Sequence, residues 1–104
     1  MSQTLKRPQF LLDLAEELTW LQEKAGTEVA EAWYQSLKET ICQLEIHPFL
    51  GRPRKDLSPG GIRSWRISGF PRWLLFYEAR PDKQLVLYRL QQGSMNLVLL
   101  KMKS

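Results

Sequence analysis

The chain is poor in the residues from which most metal and hydrolytic centres are built: among its 104 residues stand one cysteine, Cys42, and one histidine, His47. A lone cysteine excludes an intrachain disulfide and any multi-cysteine metal cluster, and it suits a reducing compartment, so a cytoplasmic location is expected. Two soft ligands do not make a metal site, and neither a metal nor a cofactor is expected. A nucleophile needs a base beside it, whereas the single histidine stands before Pro48 at the end of a helical pattern, so a hydrolytic triad is not expected. Long apolar runs are missing too. The longest is Trp73 to Tyr77, five residues against the ~20 of a membrane-spanning helix, and no membrane role is expected. Asp13, Glu16 and Glu17 break the apolar stretch that a secretory leader would need after Lys6 and Arg7, which argues against export. No internal repeat and no glycine-rich phosphate loop is visible.

What remains is an ordinary globular composition, 43% hydrophobic and 25% charged, and the length supports one core and two layers, read as a single domain over residues 1–104. The charge is divided unevenly. Residues 1–50 carry four Lys or Arg against eight Asp or Glu, net −4, while residues 51–104 carry eleven against three, net +8. A split this wide points to an acidic or nucleic-acid partner facing one side only.

The apolar period changes along the chain. From Pro8 to Lys24, Phe10, Leu11, Leu14, Ala15, Leu18 and Leu21 recur at helical spacing, with Pro8 suited to a first helical position and Gly26 to the terminating turn. Thr27 is placed to cap a second helix carrying the stripe Val29, Ala30, Trp33, Leu37, Ile41 and Leu44, which stops at His47 and Pro48. Residues 47–61 hold three prolines and three glycines and read as a loop, within which Arg52, Arg54 and Lys55 cluster. Beyond Gly61 the period is two. Ile62 to Ser68 alternates, placing Trp65 and Ile67 on one side and Ser64, Arg66 and Ser68 on the other. Trp73 to Ala79 reads as a central strand covered on both faces, and Gln84 to Gln91 as a third strand. Residues Thr4 to Arg7 suit a short edge strand. The apolar tail from Ser94 is read as a short C-terminal helix, with another strand as the alternative. The fold class is therefore α+β: an antiparallel helical hairpin packed on a three- to four-stranded, mainly antiparallel sheet.

Arg63, Arg66, Arg72 and Arg89 lie on or beside strands that also carry Trp65, Trp73, Tyr77 and Tyr88. Guanidinium groups pair with phosphate and aromatic faces stack on unpaired bases, so these four arginines are the candidate target- or phosphate-binding residues.

The order of elements, the run Gly61-Ile62-Arg63-Ser64-Trp65-Arg66-Ile67-Ser68-Gly69-Phe70 followed by Trp73-Leu74-Leu75-Phe76-Tyr77, and the segment Gln84 to Leu90 with Gly93 together resemble the RelE/ParE toxin superfamily over nearly the whole chain. The resemblance implies a bacterial type II toxin neutralised by a cognate antitoxin that wraps the helical hairpin and sheet, in a homo- or hetero-oligomer. One branch cleaves ribosome-bound messenger RNA; the other poisons DNA gyrase. The cleaving branch typically carries histidine and arginine at the end of the third strand, where this chain has Gln92 and Met95. The ParE-like, gyrase-binding branch is favoured on the motif pattern around Trp65 and Tyr77 together with the missing basic residue at Met95, with a RelE-like ribosome-dependent endonuclease or an inactive toxin-fold binding protein as alternatives. Were the chain a nuclease, Arg66 and Arg63 would hold the scissile phosphate, and Lys55, Tyr77 or Tyr88 would be the acid or base. Arg66 matches a phosphate-stabilising arginine of the cleaving branch. The partner-binding candidates are Trp20 and Trp33, which also suit core packing, and Leu97 and Leu100 of the apolar tail.

Overall fold

The computed structural model of the protein describes residues 4–56, 61–82 and 84–92. In chain order these form β1 (Thr4–Lys6), α1 (Pro8–Ala25), α2 (Thr27–Ile46), β2 (Arg52–Pro53), β3 (Ile62–Ile67), β4 (Phe70–Ala79) and β5 (Leu85–Gln92). The strands make one sheet in the order β1-β5-β4-β3-β2, antiparallel throughout except for the parallel pair β1 and β5. The expected tail helix, with Met95, Leu97 and Leu100, lies outside the described residues.

The two helices form as their apolar spacing dictates. Pro8 occupies the first turn of α1, where its missing N–H is no loss, and Gly26 ends the helix at φ 95°, a conformation that disfavours any residue with a Cβ. Gly26, rather than Thr27, is the N-cap of α2, and no side chain caps that helix. The stripe Ala30, Trp33, Leu37 and Leu44 is buried against Phe10 and Leu21 of α1 and against Ile67, Trp73, Leu75, Tyr77, Leu85, Leu87 and Leu90 of the sheet. Each large side chain fully removed from water contributes about 1.5–3 kcal/mol. Trp73 is central to this layer. It meets Trp20, Trp33 and Phe70 edge-on at centroid distances of 5.9–6.3 Å, and its Nε1 donates to Glu17 Oε1 at 2.7 Å.

The helices cover one face of the sheet only. The expectation that β4 is buried between two layers is corrected accordingly: the far face of β4 packs Leu74 and Phe76 against Ile62 of β3 and Tyr88 of β5, with the Arg54 guanidinium 5.8 Å from the centre of the Phe76 ring. Five strands lie among the described residues. β1 sits at the edge position its sequence suggested, and β2 is a two-residue strand from within the proline-rich loop.

Two irregularities of register set where arginines point. Phe76 faces Arg89 but Tyr77 faces Leu87, which leaves Tyr88 as the extra residue of a bulge and puts Leu90, not Arg89, into the core layer. Arg66 pairs Leu74 but Ile67 pairs Phe70, so Pro71 and Arg72 are carried out of the β3 ladder at the head of β4.

Candidate functional site

The four arginines singled out by sequence divide into two kinds. Arg66 on β3 and Arg72 at the head of β4 are exposed and line a cleft of about 1030 Å³ that runs along the outer part of β3. Arg52 and Arg54 join them from β2 and the residue after it. Because β2 pairs only with Arg63 and Ser64, the edge of β3 from Trp65 to Ile67 has no neighbouring strand among the described residues, and the cleft wraps around it. Ser64, Trp65 and Ser68 and, from α2, Gln43 complete its polar and aromatic lining.

Arg54 is held in place. Its Nε and Nη2 donate to the two oxygens of Asp56 at 3.0 and 2.8 Å, and its Nη1 donates to Ser64 Oγ at 3.3 Å. These hydrogen bonds keep the Asp56 carboxyl below the usual carboxylate range. Arg52, Arg66 and Arg72 have no carboxylate partner within ion-pair distance among the described residues.

Arg63 and Arg89 are not among the residues lining the cleft, so the four arginines expected as target- or phosphate-binding residues do not share one site. Arg63 Nη1 donates to the carbonyls of Gly51 at 2.7 Å and Phe49 at 3.3 Å, and its guanidinium lies 5.1 Å from the Phe49 ring centre. It fastens the loop after α2. Arg89 is tied to α1: its Nε donates to Asp13 Oδ2 at 2.8 Å, while the Leu90 amide donates to the same oxygen at 2.9 Å and Gln9 Nε2 to Asp13 Oδ1 at 3.1 Å. Asp13, 2% exposed, thus serves the Leu90 amide as the acceptor that a longer β1 would otherwise supply, since β1 pairs with β5 only as far as Leu87.

The acid–base candidates fare no better as catalysts. Tyr77 is fully buried, its hydroxyl donating to the Pro48 carbonyl at 2.7 Å and accepting from the Gly51 amide at 2.8 Å. Burial pushes its phenol up, away from the range in which a base works, and burial together with the hydrogen bond to Glu78 does the same for Tyr88. Lys55 is exposed in the turn after β2, and neither it nor either tyrosine is among the residues lining the cleft. His47 is exposed at the end of α2. The described lining contains no His, Lys, Tyr, Asp or Glu; its ionisable groups are four guanidiniums. Among the described residues no three His, Cys, Asp or Glu side chains gather into a metal-binding arrangement.

Trp33 is 0% exposed, at the centre of the core, and is therefore corrected from a partner-binding residue to a packing residue. Trp20 remains 39% exposed. The contributions of Arg52 and Arg54 were visible in sequence only as a basic cluster in a loop; the pairing of β2 with β3 is what brings them to Arg66.

A helical hairpin on one face of a mainly antiparallel sheet, with an arginine-lined cleft along β3, defines a small α+β domain. The family model for the ParE toxin of the type II toxin–antitoxin system parDE matches residues 6–97, and the chain belongs to that family. It is 32% identical over 75 residues to Toxin ParE3 of Caulobacter vibrioides, an alignment covering 72% of this chain and 70% of that protein. A solved structure of the chromosomal ParDE toxin–antitoxin system from P. aeruginosa shares the fold, with a TM-score of 0.70 and 14% identity, covering 88% of this chain and 96% of that one. No described helix is long and apolar enough to cross a membrane.

Proposed function

We propose that this ParE-family toxin acts by binding DNA gyrase rather than by cutting RNA, and that a cognate antitoxin holds it inactive. The observation that carries this reading is the lining of the cleft: among its described residues stand four guanidiniums and no side chain able to take or give a proton near neutrality. Cleavage through a 2′-hydroxyl requires that proton to be removed and the leaving oxygen to be protonated; positive charge alone supplies neither. Binding requires only the charge. Arg66 and Arg72 are the proposed target contacts, with Arg52 beside them. The outer side of α1, where Leu12 and Trp20 are exposed, is the proposed antitoxin surface.

The test is to incubate the purified protein with gyrase and plasmid, and in parallel with programmed ribosomes. Inhibited supercoiling or trapped cleavage complexes, with intact messenger, is the expected result. Codon-positioned cuts in the messenger would overturn it in favour of the RelE-like alternative, and silence in both assays would leave a toxin-fold protein that only binds its partner.

A further inference from the structure

The geometry points to a ligand for the arginine cleft: the backbone of single-stranded nucleic acid, bound directly and without help from a protein target. This inference rests on the reading of the cleft as the target-contacting surface and names the chemistry that surface takes. Three features carry it. Arg52 lies across from Ser64 and diagonally from Arg66, which sets their Cα atoms about 7–8 Å apart on neighbouring strands, and the register shift at the head of β4 accompanies Arg72 into the same cleft. Arg52, Arg66 and Arg72 are exposed and have no carboxylate partner within ion-pair distance among the described residues, so their charge is open to a polyanion. The described lining offers no carboxylate to repel a polyanion beyond Asp56 nearby, which Arg54 already engages.

An acidic peptide is the competing ligand, and strand addition is how an extended peptide would use an open sheet edge. Among the described residues the edge of β3 without a neighbouring strand runs from Trp65 to Ile67, because β2 occupies Arg63 and Ser64. Three residues make a short ladder, while the charges extend beyond it on both sides. The layout follows a phosphate chain better than a peptide backbone.

Fluorescence polarisation with a fluorescein-labelled single-stranded DNA of mixed sequence tests this on the purified full chain. Binding is expected, with log K falling linearly in log salt. The double variant Arg66→Gln/Arg72→Gln is expected to flatten that slope by about 1.4, at about 0.7 per lost phosphate contact on a single strand. Lys24→Gln/Lys38→Gln removes the same charge from the helices and is expected to bind as the parent does. Circular dichroism verifies that each variant folds. An RNA strand of the same sequence that binds equally supports backbone recognition. The inference is overturned if the parent does not bind, if only duplex binds, if an unlabelled poly-glutamate competes at equal charge, or if both double variants lose affinity alike. The gyrase assay runs beside it. Strand binding without gyrase inhibition sinks the proposed function and leaves this inference standing; gyrase inhibition without strand binding does the reverse.

Discussion

At the residue scale, two buried polar anchors explain why the arginines part company. Asp13 takes Arg89, the Leu90 amide and Gln9 at once, so removing its carboxylate leaves a guanidinium and a backbone N–H without partners. Asp13→Ala is expected to cost about 3–5 kcal/mol in urea denaturation; a loss below about 1 kcal/mol would contradict the role given to Asp13. Tyr77 works likewise for the loop after α2. Tyr77→Phe is expected to cost about 1–3 kcal/mol and to speed hydrogen exchange at the Gly51 amide, which loses its acceptor. Unaltered exchange at Gly51 would refute this. Alternation along β3 told correctly that Ser64 and Arg66 oppose Trp65 and Ile67. No such alternation was available for Arg89, because a bulge at Tyr88 shifts the period of β5 by one residue and no local pattern announces a bulge. Trp33 was readable as both core and surface, since helical spacing reports a face but not what covers it.

At the scale of elements, the contact between α1 and β4 turns on Glu17, which accepts from Trp73 Nε1 while burial raises its carboxyl above the ordinary 4.5. The folded chain therefore holds this proton more tightly than the unfolded one. The resulting stability is complete below pH 4.5 and is lost as pH rises through the raised value. Glu17→Gln, which cannot ionise and keeps the acceptor, is expected to be more stable than the parent at pH 7, the gap closing as pH falls toward 4.5. A gap independent of pH would count against it. Gly51 joins loop to sheet: a Cβ there would sit 2.6 Å from Tyr77 Cε1, so Gly51→Ala is expected to cost about 1–3 kcal/mol by thermal or urea unfolding. The helices and β3 to β5 were legible because each carries its own apolar period. β2 was not, since two residues among prolines have no period and exist as a strand only through their partner Ser64–Arg63.

Across the whole molecule, the acidic front half forms mostly the helices and the basic rear half the sheet, so the uneven charge of the chain becomes a polarity of the fold. That polarity was legible from counting; its focus was not. Two of the four expected arginines support the loop and α1, and two from a loop replace them in the cleft, an exchange that depends on long-range pairing and not on neighbours in sequence. The cleft keeps positive charge in one place with no proton-transferring partner among the described residues, and the proposed function stands on that combination. The most direct check is the trapping of gyrase–DNA cleavage complexes by the parent protein and by Arg66→Ala/Arg72→Ala of verified fold. The account predicts trapped complexes with the parent and little or none with the variant; equal trapping by both would contradict it.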